Sequence, residues 1–369
     1  MAIPRQITDR FKRLSDDHMR RLLEPPTGPV RMILDTDTAN EIDDQFALAW
    51  ALLSPDQIEI EGVTAEPYSF QHLQAPMLRA HEIIKAGGPK TAEEEAIVDG
   101  FRGWVEGLTG QGRDPRDVVF VPPDEGEQRS YDEILRVYDK LNIDPAGKVF
   151  HGSSGYLTSL DEPLRTPSAE FIIERALAAS DRPLYVSAIG CVTNIASALL
   201  MAPEIIDNMV VLWTSGFPSR SHRTNEPSLN LVQDKLASQL LFECGVAHVY
   251  LPGYHIGAQL TISLPEMEKW LRGKGAIGDY LYHLYMNNPI HDQRGITGIE
   301  WRTWVIWDII NIAWLLNPAW VPTDLLPSPV LDDDLYWRHP EGRHWMREAY
   351  DINRDAIFHD FYMKLEKAP

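Results

Sequence analysis

The segment LDTDTANEIDDQFALA, residues 34–49, holds four aspartates, Asp35, Asp37, Asp43 and Asp44, with Asn40 and Glu41 between the pairs. Carboxylates crowded in this way repel one another unless a cation or a proton offsets them. Asp43-Asp44 alone would read as a helix start, where acids suit the macrodipole. The Asp-x-Asp ahead of it closes an apolar strand, and capping does not explain that. The types and spacing therefore predict a site rather than a turn.

Two kinds of site are tested on spacing alone. A calcium-binding EF-hand loop wants Gly at its sixth position and Glu at its twelfth. Counted from Asp35, those positions are Asn40 and Phe46, so that reading fails. A metal-dependent phosphatase of the haloacid-dehalogenase type also places Asp-x-Asp after its first strand, with the first Asp as nucleophile. It wants Thr or Val two residues beyond the second Asp, where Ala39 stands. The match is partial and stays open as an alternative.

The elements that would carry these residues alternate. VRMIL reads as a buried strand, QFALAWALL as a helix and Ile58–Thr64 as a second strand, a βαβ unit and hence a parallel sheet. Strands at Leu184–Ile189, Met209–Trp213 and 247–251, with helices between them, continue the pattern. The expected fold is α/β, doubly wound, with a mostly parallel sheet flanked by helices and the site at the strand C-terminal ends. Residues 1–28 read as an amphipathic helical arm and 29–369 as one domain. Within it, about 87–155 reads as a Gly-, Pro- and acid-rich insertion near the site, with one helix near Tyr131–Leu141. About 320–369 reads as an aromatic tail.

Composition narrows the partners. With 34 Lys+Arg against 54 Asp+Glu, a net charge of −20, the surface is a poor match for nucleic acid. Cys191 and Cys244 form no Cys-rich zinc pattern. No apolar run long enough for a membrane span occurs, and MAIPRQITDRFKRL lacks a signal-peptide core, so a cytoplasmic protein is expected. Dinucleotide and P-loop glycine patterns are missing, and HGSSGYL lacks the spacing of a nucleophile elbow.

The acidic segment resembles the signature of the nucleoside hydrolase family: strand, Asp-x-Asp, short loop, Asp-Asp, apolar helix. The loop here is about two residues longer than the commonest version. Three later segments are similar to the family in the same order: LYVSAIGCVTNIASALL, LNLVQDKLAS and VIWDIINIAWLLNP. The resemblance implies a calcium ion on Asp37, Asp44 and Asp308, with the backbone carbonyl of Ile189. It implies Asp37 as general base for a metal-bound water, and Asp43 and Asn230, helped by Asn40, on the ribose hydroxyls. The implied reaction cleaves a ribonucleoside or related N-riboside through an oxocarbenium-like state, which surrounding carboxylates stabilise. A homodimer or homotetramer is implied as well, with the 1–28 arm as a contact.

Several positions depart from that pattern. Trp307 stands before Asp308, where many members carry a His that protonates the leaving base. Ser228 replaces a customary Glu two residues ahead of Asn230, and Glu226 is the nearby substitute. TAEPYSF replaces a Gly-Asn that touches the sugar, leaving Glu66 or Ser69 to take over. His151, His72 and His255 are candidate replacement acids, with His151 expected to border the pocket. Of the tryptophans, Trp304 or Trp307 is the expected stacking partner for a base. By itself Asp308 would be a helix N-cap, as would Asn194 and Asp234. A nucleoside- or sugar-binding protein that has lost turnover is the non-enzymatic alternative.

Overall fold

In chain order the strands are β1 (Val30–Thr36), β2 (Ile58–Ala65), β3 (Val149–Phe150), β4 (Leu184–Ala188), β5 (Met209–Ser215), β6 (Ala247–Pro252), β7 (Thr261–Ser263), β8 (Thr303–Val305), β9 (Thr323–Pro327), β10 (Val330–Leu331), β11 (Trp337–Arg338) and β12 (Trp345–Ala349). They are taken from a computed structural model of the chain, which describes residues 3–369. Eight of them form one sheet in the order β3-β2-β1-β4-β5-β6-β12-β9, parallel throughout except for the β12–β9 edge. β1, β4, β5 and β6 are buried at every position, as continuous apolar runs covered on both faces require.

Topology places the site. From β1 the chain winds outward through β2 and β3, then returns to β4 on the other side of β1. That reversal opens a crevice at the C-terminal ends of β1 and β4, the place where doubly wound sheets take ligands. In the register Asp35 lies opposite Ala188 of β4 and Thr64 of β2, so Asp37 and Ile189 emerge side by side.

Three regions carry more structure than the sequence reading expected. The insertion holds two long helices, Ala92–Gly110 and Pro123–Lys140. The first is hard to read from sequence because Gly100, Gly103, Gly107 and Gly110 lower its helix propensity. Its start is nevertheless written in the sequence. Thr91 Oγ1 accepts from the Glu94 N–H at 3.1 Å, and Glu94 reaches back to the Lys90 N–H at 2.9 Å. Its Val98, Trp104 and Leu108 join Met77, Phe120 and Ile290 in a second apolar cluster.

The C-terminal region is not a tail but the far edge of the sheet, β9 and β12, plus the helix Arg354–Leu365. Phe361 of that helix packs against Phe46 and Trp50 at centroid distances of 5.8 and 5.9 Å, bracing the helix that starts with Asp43-Asp44. The N-terminal arm is two short helices, Arg5–Thr8 and Asp16–Leu22, whose apolar side chains bury into the chain's own main core. Among the described residues no helix is long and apolar enough to cross a membrane.

Candidate active site

Asp43 and Asp44 are the first two residues of the helix Asp43–Leu52, whose N-cap is Ile42 and has no side-chain cap bond. Asp308 is the N-cap of the helix Ile309–Leu316, yet its carboxylate caps nothing either. All three carboxylates are thus released from helix duty and turn toward one another. Their oxygens lie within 4.8 Å, and all three residues are buried. Thr36 Oγ1 steadies Asp44 with a 2.5 Å hydrogen bond.

Asp37 stands beside this trio. Asn40 Nδ2 donates to its Oδ2 at 2.6 Å, while its Oδ1 is buried with no hydrogen-bond partner. It can sit there because residue 190 is glycine. A Cβ at Gly190 would lie 2.9 Å from the Asp37 carboxyl carbon. Ala39, with φ +90°, turns the loop between Asp37 and Asp43 through a conformation that an alanine seldom adopts.

The electrostatics are lopsided. Burial pushes Asp37 up to about 8, and the charges of Asp43 and Glu41 add to that against the opposing Asn40 bond. Burial likewise drives Asp43, Asp44 and Asp308 well above the ordinary carboxylate range, helped by repulsion from the carboxylates around each, Glu41 and Asp37 among them. With oxygens of Asp43 and Asp308 within 4.8 Å of each other, the pair favours a shared proton or a cation between them. Among the described residues, no Lys or Arg forms an ion pair with any of the four. Clustered carboxylates with an unpartnered oxygen and no compensating side chain fit a hard divalent cation.

Above the trio opens a cavity of about 490 Å³, a volume in the range of small-molecule sites. Asn40, Asp43, Asp44, Ile189, Glu226, Asn230, Trp307 and Asp308 all line it, as do Glu41 and Trp304. Asp37 lies just beneath, under Asn40. Asn230 donates both amide hydrogens inward, to the carbonyls of Ile189 at 2.8 Å and Thr214 at 3.1 Å. Its Oδ1 is left as the atom that can accept from a ligand hydroxyl.

Other expected residues fall elsewhere. His151 does not line the cavity. Its ring stacks on Tyr131 at 3.6 Å and its Nδ1 meets Glu127 at 3.0 Å, both on the inserted helix Pro123–Lys140. His255 packs edge-on against Phe217 and is also outside. Of the three candidate histidines only His72 lines the space. Burial lowers its pKa, opposed by a bond to the Ser69 backbone and by the Glu226 charge.

Glu66 and Ser69 do not replace the missing sugar contact. Glu66 is fully buried and accepts from the Asn194 N–H at 3.0 Å and from the Cys191 thiol at 3.1 Å, so it closes a helix start. Ser69 donates to the Val121 carbonyl. Asp35, the nucleophile of the phosphatase reading, is fully buried, held by Thr64 at 2.6 Å and Asn194 at 3.0 Å, and does not line this cavity. That geometry removes the phosphatase alternative.

Sequence reasoning missed Thr214, Tyr254 and Arg294. Thr214 Oγ1 is buried, unpartnered and turned to the cavity wall at the C-terminal end of β5, a position that the strand-end rule singles out. Tyr254 follows β6 in the same way and packs edge-on against Trp307 at 5.6 Å. Arg294 carries no signal of that kind.

A mostly parallel sheet with a carboxylate-walled cavity at its topological switch defines an α/β protein with a small-molecule site whose acidic floor could hold a divalent cation. A family described as inosine-uridine preferring nucleoside hydrolase matches residues 32–356, and the chain belongs to that family. The non-specific ribonucleoside hydrolase RihC of Salmonella typhi is 28% identical over 174 residues, 46% of this chain. That stretch is 54% of the relative, so the chain spans about half the length of the curated relatives it matches. Among solved structures, a purine-preferring ribonucleoside hydrolase from Gardnerella vaginalis has a TM-score of 0.58 at 18% identity, covering 92% of this chain and 98% of that one. An inosine-guanosine nucleoside hydrolase reaches 0.61 at 14% identity, covering 92% and 99%. These two likenesses are ones of fold.

Proposed function

We propose that the protein hydrolyses the N-glycosidic bond of a ribonucleoside or related N-riboside, with calcium held by Asp44, Asp308, Asp37 and the Ile189 carbonyl. The observation that carries this is the group of buried, uncompensated carboxylates on the floor of a nucleoside-sized cavity. Asp43 stands close enough to Asp44 and Asp308 to serve either the ion or a ribose hydroxyl. A bound divalent cation supplies positive charge that orients hydroxyl oxygens and makes water easier to deprotonate.

The chain's own residues do the rest. Asp37 takes a proton from the attacking water at Oδ1, while Asn40 fixes the other oxygen. Asn230 Oδ1 and Asp43 accept from ribose hydroxyls. The surrounding carboxylates favour the positive charge that grows on the sugar as the bond to the base lengthens. Trp307 and Trp304 offer faces to the base, and His72, beside Glu226, is the proton donor to it.

The test is free ribose released from a panel of ribonucleosides, with calcium and after chelation, by the protein and by His72→Gln. Chelator-sensitive release is expected, with His72→Gln slowed roughly 100-fold or more if it is the acid. No release from any riboside, with calcium still bound, would establish the second reading, binding without turnover. That reading is favoured by one observation, a tryptophan rather than a proton donor next to Asp308.

A further inference from the structure

Arg294 is the one Lys or Arg among the cavity's lining residues, in a wall that also holds Glu41, Glu226 and the aspartate trio. In a chain this acidic an arginine beside so many carboxylates should be paired. Yet its guanidinium makes no ion pair or hydrogen bond with any described residue, and its Nε is buried without a partner. What holds it is aromatic: the Phe70 ring at 5.9 Å and the Trp104 ring at 5.2 Å.

The backbone that bears it is clamped as well. Trp104 Nε1 donates to the Gln293 carbonyl at 2.9 Å, and Gln111 Nε2 to the Gly295 carbonyl at 2.8 Å. The helix Ala92–Gly110 comes so near that a Cβ on Gly107 would lie 2.9 Å from the Arg294 carbonyl oxygen. A guanidinium fixed in this way and left without an acceptor is preorganised for a planar anion.

Two neighbours locate the anion. Phe70, which the guanidinium faces at 5.9 Å, and Glu41 line the same cavity. Phe70, Tyr254 and Trp307 form the aromatic lining of that cavity, so Arg294 stands on its aromatic side, where the leaving base belongs. Glu41, carried by the acidic loop, has its own buried oxygen, Oε2, without a hydrogen-bond partner. A carboxylate oxygen on the bound molecule would give the guanidinium the acceptor it lacks.

We propose that Arg294 selects N-ribosides whose leaving group bears a carboxylate. This rests on the hydrolase reading above and names the substrate class of the same pocket. The experiment uses matched pairs that differ in the charge: nicotinic acid riboside against nicotinamide riboside, and orotidine against uridine. Uridine 5′-monophosphate places the anion on the sugar instead.

With calcium present, kcat/KM for the carboxylated member of each pair should exceed that of its neutral mate by roughly 10–100-fold, as a charged hydrogen bond implies. Arg294→Gln should bring that ratio close to one, whereas Arg102→Gln, on an exposed face of the inserted helix, should leave it unchanged. Equal rates within both pairs, or a ratio that survives Arg294→Gln, would overturn the proposal. So would a preference for the 5′-phosphate over both carboxylated bases. If no riboside releases ribose, the hydrolase reading has failed, and calorimetric titration of the same compounds decides the inference separately. Tighter binding of the carboxylated members, lost in Arg294→Gln, sustains it; equal binding ends it.

Discussion

Asp44 shows how a side chain can weaken the fold that it serves. It is almost fully buried, bonded by Thr36, and repelled most by Asp37. An amide in its place keeps the acceptor for Thr36 and removes the repulsion. In the presence of a chelator, Asp44→Asn should therefore melt above the parent protein. With calcium at about 100 times its dissociation constant, the parent should gain about 2.7 kcal/mol, several degrees, and the variant far less. Melts of both proteins with and without calcium measure this, and an identical calcium response would remove Asp44 from the ion's ligands. The residues of this cluster were legible because their type and spacing are unusual for a helix start. The direction of His151 was not, because Glu127 and Tyr131, which capture it, come from an inserted helix that the motif does not contain.

At the scale of elements, one ion cluster ties three of them together away from the pocket. Arg31 of β1 and Arg175 of the helix Pro167–Leu177 both donate to Glu61 of β2, each at 2.6 Å. Arg31 and Glu61 are buried. Burial alone would raise the Glu61 carboxyl, but the bonds from Arg175 and Arg31 outweigh it and hold it below the usual range. A depressed carboxylate contributes stability that is complete above its unfolded value, about 4.3, and is lost as pH falls through its folded value. Glu61→Gln leaves Arg31 buried without its anion and should cost about 3–5 kcal/mol near pH 7. The difference from the parent should shrink in acid. Urea unfolding at about pH 7 and about pH 3 reads both, and a pH-independent difference would mean that the charge does not matter. The strands of this region were legible from their continuous apolar runs. β9 and β12 were not, since TDLLP and WMREA carry no strong alternation and owe their strand form to β6, which lies far earlier in the chain.

Over the whole molecule, the arm decides whether the domain is self-sufficient without it. Its amphipathic pattern was plain in the sequence, but the surface that it meets was not, since that surface is assembled from distant segments. Ile3, Ile7, Phe11, Leu14, Met19, Leu22 and Leu23 are buried in the main core. Lys12 pairs with Asp207 at 3.0 Å, the Ile3 N–H donates to Glu243 at 3.1 Å, and Arg347 of β12 reaches the Leu23 carbonyl. Seven apolar side chains at about 1.5–3 kcal/mol each give a gross burial of roughly 10–20 kcal/mol, much of it offset by ordering the arm. A net few kcal/mol remains, a large share of an ordinary domain's stability. The arm's apolar face is used within its own chain, so its removal uncovers core. A chain starting at residue 29 should melt roughly 5–10 °C lower and self-associate through the surface that the arm had covered. Thermal melts and light scattering of the full and shortened chains test this. An unchanged melting temperature with a clean, smaller oligomer would instead give the arm to subunit contact.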